Sequence, residues 1–142
     1  MMPRVFLLYF VISFTGVIVS CGNDGKPKEN AEKCPGGKPK LVFEKEMYNF
    51  GEIKEGDVIG KYLHFTNTGN APLVLNKVIA NCGCIEVKYP DKPVRPGEKG
   101  KLEVIFDTNG FYGRQVKFLK IFSNDSSSTE KELMIYATVE GP

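Results

Sequence analysis

From Leu41 onward, apolar and polar residues alternate with a period of two, and that alternation narrows the possible folds more than any other feature of the chain. Successive side chains of a strand point to opposite faces, so such a run gives one face to a core and the other to water. Leu133, Ile135, Ala137 and Val139 show the pattern most cleanly, and Leu102, Val104 and Phe106 repeat it. Between Val58 and Asn67, Ile59, Leu63 and Phe65 fall on one side while Tyr62, His64 and Thr66 fall on the other. Leu41–Phe43 opens the series, Met47–Phe50 continues that edge, and Leu73–Ile79 and Ile85–Tyr89 supply two more strands. In Val116–Phe122 the alternation shifts between Phe118 and Leu119, which predicts a bulge there.

Turn chemistry separates these runs. Phe50-Gly51-Glu52, Glu55-Gly56-Asp57, Asn67 to Pro72, Pro96-Gly97, Asn109-Gly110 and the polar loop Asn124–Ser128 punctuate the chain. No long segment shows a capped helical period. About seven to eight short strands at such spacing predict an all-β, immunoglobulin-like sandwich.

The first residues carry a different message. Arg4 is the only charge before Asp24, and Val5–Ser20 is almost wholly apolar. A positive start, a short apolar run and a small residue before a cut describe a bacterial export signal. The run is shorter than the roughly 20 residues that a bilayer core requires. Ile18-Val19-Ser20 stands immediately before Cys21, and the whole segment resembles a lipoprotein signal. That resemblance implies that residues 1–20 are removed and that Cys21 receives lipid. Residues 21–40 hold almost no apolar side chains and read as a flexible tether. Residues 41–142 form the sandwich domain. Gly22 is not the acidic residue expected of inner-membrane retention, so the expected address is the outer membrane.

Charge and composition exclude several activities. The net charge is +2, the charges are interspersed, and tryptophan is absent, which leaves neither a basic stripe nor a stacking platform for nucleic acid. The single histidine, His64, lies on the face opposite Leu63 and Phe65, a surface position. No nucleophile elbow, phosphate-cradling loop or His-Glu-x-x-His motif occurs. Glu44 and Glu46, and Glu130 and Glu132, alternate as solvated faces do. No catalytic residue, metal site, cofactor or small-molecule substrate is expected, and the chain reads as a non-enzyme.

Four cysteines occur, Cys21, Cys34, Cys82 and Cys84. In an extended strand the Cα atoms of Cys82 and Cys84 would stand about 6.6–6.8 Å apart, near the upper limit for a disulfide. Gly83 permits the chain to tighten. An easily reduced bridge would follow, whereas two free thiolates would suit a soft ion such as Cu(I). An inert packed pair is the plain alternative. Zinc needs four ligands, and only Cys34 on the tether and His64 could join the pair.

Phe50-Gly51-Glu52-Ile53, Phe65-Thr66-Asn67-Thr68-Gly69-Asn70-Ala71-Pro72-Leu73, Asn81-Cys82-Gly83-Cys84 and Pro96-Gly97-Glu98 together resemble domain of unknown function 1573. This family is common in lipoproteins and exported proteins of Bacteroidetes. The resemblance covers about Val42–Val139 and implies an immunoglobulin-type sandwich related to the ASH and major-sperm-protein-like modules. Most of the motif residues have a fold-building reading. Gly69 can take a positive φ in a tight turn, Asn67 can bridge its own backbone, Asn70 lies in the same turn, and Pro72 sets the approach to the next strand. Pro96-Gly97 suits the centre of a type II turn. The expected function is a lipid-anchored envelope module that binds or assembles with another envelope protein. The alternative is a thiol redox or copper-handling protein using Cys82 and Cys84.

Overall fold

The computed structural model describes residues 36–141. Eight strands form: β1 (Leu41–Phe43), β2 (Met47–Lys54), β3 (Val58–Asn67), β4 (Leu75–Ala80), β5 (Ile85–Lys88), β6 (Lys99–Asp107), β7 (Gly113–Ser123) and β8 (Glu130–Glu140). They make two four-stranded sheets, ordered β1-β3-β6-β5 and β2-β8-β7-β4. Neighbours are antiparallel except β2 and β8, which run parallel. The expected all-β, immunoglobulin-like sandwich is what forms.

The alternating residues supply the core from both sides. Leu41, Leu63, Phe65, Leu102, Val104 and Phe106 come from one sheet, and Leu119, Ile121, Leu133, Ile135 and Val139 from the other, all almost fully buried. Each such side chain contributes about 1.5–3 kcal/mol when removed from water. Packing is tight enough to dictate a glycine. Gly100 lies opposite Phe65 across the β3–β6 ladder. A Cβ there would stand 2.7 Å from Phe65 Cε2 and 2.8 Å from Phe65 Cε1.

Three local expectations are corrected. Met47–Phe50 does not continue the edge that Leu41–Phe43 begins, because the chain crosses to the other sheet after Phe43 and β2 pairs with β8. The bulge expected between Phe118 and Leu119 is absent, since β7 pairs with β8 in unbroken register from Gly113 to Phe122. Leu119, Ile121 and Ser123 face inward and Phe118 outward, so the aromatic residue sits on the outer face instead of shifting the pleat. Irregularities fall instead between Leu75 and Lys77 and between Asn49 and Gly51. The strand expected from Leu73 starts at Leu75, because Leu73 turns away to bridge Val94.

The two sheets are joined at one end by a buried carboxylate. Asp125, in the β7–β8 loop, is 1% exposed. Its Oδ2 accepts from Leu41 N at 2.8 Å, and its Oδ1 accepts from Ser127 N at 2.9 Å and Ser127 Oγ at 2.6 Å. Burial alone would raise this carboxyl. The Ser127 hydroxyl and the backbone N–H groups of Leu41, Ser127 and Ser128 outweigh burial and hold it below the ordinary carboxylate value.

A folded-state pKa below the unfolded one stabilises the fold above the ordinary carboxyl range, and the contribution disappears as pH falls through the lowered value. Asp125→Asn is therefore expected to cost about 1–3 kcal/mol at neutral pH. The gap to the wild-type chain should narrow as pH drops below about 4. Urea unfolding of both chains across that range checks it; a gap that does not change with pH would contradict it.

Candidate functional site

Asn67 ends β3 with the same parity as Leu63 and Phe65, and it is fully buried. Every hydrogen-bonding position of its amide is used. Oδ1 accepts from Gly69 N at 3.0 Å and Lys40 N at 3.3 Å, while Nδ2 donates to Ala71 O at 2.8 Å and Val94 O at 2.9 Å. Its backbone N–H donates to Glu98 O at 3.0 Å, and its carbonyl accepts from Gly97 N at 2.8 Å. A primary amide offers two donors and two lone pairs, so this side chain is saturated.

The other motif residues surround this hub. Asn70 Oδ1 accepts from Lys38 N at 2.7 Å, and Asn70 N donates to Lys38 O at 3.0 Å. Residues 36–40, the end of the stretch read as a tether, thus lie against this turn, with Pro39 buried. Gly69 is glycine for a different reason from the one expected, because its φ is not positive. A Cβ there would meet Lys38 O and stand 2.6 Å from Lys40 N and 2.7 Å from Pro39 C. Pro72 O accepts from Asn124 Nδ2 at 3.0 Å. Pro96-Gly97 forms the expected type II turn, with Gly97 at φ 78° and Glu98 N donating to Arg95 O at 3.0 Å. All of these residues build the end of the sandwich where β3 finishes and β4 starts.

Cys82-Gly83-Cys84 sits elsewhere, in the crossover from β4 to β5. The two cysteines form a disulfide with their Cα atoms 5.3 Å apart. The turn contracts them below the spacing of a flat strand. Gly83 has no positive φ, and a Cβ added to it would meet nothing within 4 Å, so neither space nor conformation requires glycine there. Both cysteines are half-buried against the core. Asn81 fixes where the crossover begins, with its N–H donating to Phe118 O and its Oδ1 accepting from Phe118 N, both at 3.1 Å. Asp107 N holds the other end by donating to Cys84 O at 3.0 Å. Such a bond can exchange with an external thiolate when that thiolate reaches a sulfur.

The remaining candidates are dispersed. His64 is exposed on the outer face of β3. Glu44 pairs with Lys99 at 3.3 Å and Glu130 with Lys120 at 2.8 Å, all exposed. Among the described residues, no three His, Cys, Asp or Glu side chains cluster as a metal site. Cys21 and Cys34 lie outside the described residues. The sheets differ in their outer faces. Lys99, Lys101, Glu103 and Asp107 of β6 lie beside Glu86 and Lys88 of β5. On the other sheet Met47, Met134 and Phe118 form one cross-strand row and Tyr136 and Val116 the next.

Asn67→Ala is expected to lower unfolding free energy by about 3 kcal/mol, because it strands the Ala71 carbonyl and the Lys40 and Gly69 N–H groups and leaves Val94 O with Leu73 N alone. Asn70→Ala, at an exposed bond, should cost under about 1 kcal/mol. Paired denaturant titrations check the ranking, and equal losses would contradict it.

The fold has solved counterparts. A Porphyromonas gingivalis W83 protein of unknown function superposes with a TM-score of 0.61 at 17% identity, over 75% of this chain and 51% of that one. The chain therefore spans about half the length of that protein. The human CEP192 ASH/PapD-like domain 7 gives a TM-score of 0.52 at 10% identity, covering 74% of this chain and 87% of that one. Vibrio cholerae VesB protease gives 0.53 at 13% identity, covering 72% of this chain and 32% of that one. These likenesses are of fold alone. No curated protein sequence matches the chain. Residues 41–139, from the Asp125-bound start of β1 nearly to the end of β8, match the family described as "Protein of unknown function (DUF1573)", and the chain belongs to that family.

Proposed function

We propose that the chain is a lipid-anchored cell-envelope protein whose sandwich binds or assembles with another envelope protein and carries out no catalysis. Arg4, the apolar run Val5–Ser20 and Cys21 support the anchor and the outer-membrane address. Two or more acyl chains make such an anchorage stable, since each buried CH₂ contributes about 0.8 kcal/mol.

The observation that carries the binding role is the outer face of the β2-β8-β7-β4 sheet. Met47 is 60% exposed, Val116 37% and Ile79 38%, and half-buried Met134, Tyr136 and Phe118 fill the space between the first two. A contiguous apolar patch on a sheet face marks an interaction surface, whereas scattered apolar residues do not. The other sheet's outer face also exposes Val58 and Tyr62, but there they are interleaved with Lys101, Glu103 and Asp107 of β6.

A photocrosslinking amino acid at Met47, in cells carrying the full chain, is expected to capture one reproducible envelope protein. The same group at His64, on the charged face, should not. Failure to recover a reproducible partner from Met47 would overturn the binding role. Cys21→Ser is expected to move the protein from the membrane fraction to the soluble one, and unchanged membrane retention would overturn the anchor.

A further inference from the structure

We propose that the open edge of β7 over Arg114–Val116 is a strand-addition site for an extended partner segment that alternates aliphatic and acidic residues. The proposal rests on the binding role above and names where and what the sandwich binds.

Strand β7 is paired with β8 along its length, from Gly113 to Phe122. On its other side β4 covers only Leu119–Ser123. Asn81 then closes the ladder at Phe118, and the chain departs through Cys82 to the opposite sheet. In a strand the N–H and C=O of one residue point to the same side, and successive residues alternate. Both groups of Phe118 point toward β4, so both groups of Val116 and Arg114 do too. Among the described residues none bonds any of these four groups on that side. At about 3.4 Å per residue the gap takes a strand of about four to five residues, in line with β4.

Several other edges of the sandwich are blunted. Strand β1 is three residues long, and β5 is four with exposed Glu86 and Lys88. Along β2, Lys61 Nζ donates to Asn49 O at 2.7 Å beside a bulge. Leu73, just before β4, is paired with Val94. Shortness, charge, bulges and covering loops are the usual protections of an edge. The Arg114–Val116 edge has no bulge and, among the described residues, no covering loop, and its two charges, Arg114 and Lys117, are of one sign.

The surroundings select the occupant. Arg114 is exposed and, among the described residues, has no carboxylate partner. The Lys117 ammonium rests 4.1 Å from the Phe111 ring centroid, likewise without a carboxylate. Val116 offers apolar surface on the outer face beside Arg114, whereas Lys117 lies on the opposite face of β7, with the parity of Leu119 and Ile121 and over the Phe106 and Phe111 rings. Main-chain bonding would supply affinity, and Val116 on one face with the Lys117 ammonium on the other would favour aliphatic and acidic side chains in alternation.

The test is amide hydrogen exchange on the full chain in detergent, with a short peptide alternating valine and glutamate. Exchange at the Arg114 and Val116 amides should slow at least about tenfold, while a valine–lysine peptide should leave it nearly unchanged. Val116→Pro removes one N–H on the open side and leaves the β8 ladder intact, so it should abolish the protection. Lys117→Glu, which alters no backbone group, should weaken it about tenfold and serves if the proline chain loses protection at Leu119 and Ile121. Absence of protection, equal protection by both peptides, or protection that grows with protein concentration alone (a second copy on the edge) would overturn the proposal. If the edge fails while Met47 still crosslinks a partner, only this site falls; if the crosslink fails too, the binding role falls with it.

Discussion

A single saturated amide holds one end of this domain together. Asn67 stands where β3 leaves the core, and its bonds reach Lys40, Gly69, Ala71, Val94, Gly97 and Glu98. These positions belong to the lead-in to β1, the β3–β4 loop and the segment before β6. These segments share only a few backbone bonds, such as the Leu73–Val94 pair and Thr68 N to Lys40 O, and the Asn67 amide ties them to one another. Gly69 follows from the same geometry: the lead-in must pass close enough for Lys40 N to reach Asn67, and a side chain at Gly69 would fill that path. At the same end Asp125 repeats the device with a carboxylate and secures Leu41. Together they determine where the sandwich starts.

Legibility in the sequence divides along a physical line. Period-two alternation reports one face of one strand at a time, so Leu102–Phe106 and Leu133–Val139 are directly readable, as is the type II turn at Pro96-Gly97. Pairing is non-local and leaves no such trace. Hence the pattern alone puts β2 in the wrong sheet, and Phe118 suggests a bulge where the strand is regular and the outer face simply carries an aromatic ring. Buried polar residues are harder to read. Asn67 has the look of a turn former, yet its parity with Leu63 and Phe65 places it inward, a signal sufficient to predict a buried amide. Asp125 offers no such signal. It lies in a polar loop, and only the tertiary approach of Leu41 N makes it structural.

The cysteine pair and the open edge of β7 are two aspects of one crossover. A disulfide that closes a loop of three residues restricts the unfolded chain little, contributing about 1.6 kcal/mol by chain entropy against about 3 for a loop of fifteen. Global stability is therefore a poor account of Cys82 and Cys84. Their local effect is larger. Contracting the chain to a Cα separation of 5.3 Å ends its extended geometry one residue after Asn81. The bonds from Asn81 to Phe118 and from Asp107 to Cys84 then tie the turn to both sheets. Strand β4 cannot continue along β7 past that point, and the hydrogen-bonding groups of Val116 and Arg114 stay open because it stops there. A longer β4 would have covered them and closed the edge. The same turn that carries β4 across the sandwich thus leaves one stretch of sheet free to accept a strand from elsewhere.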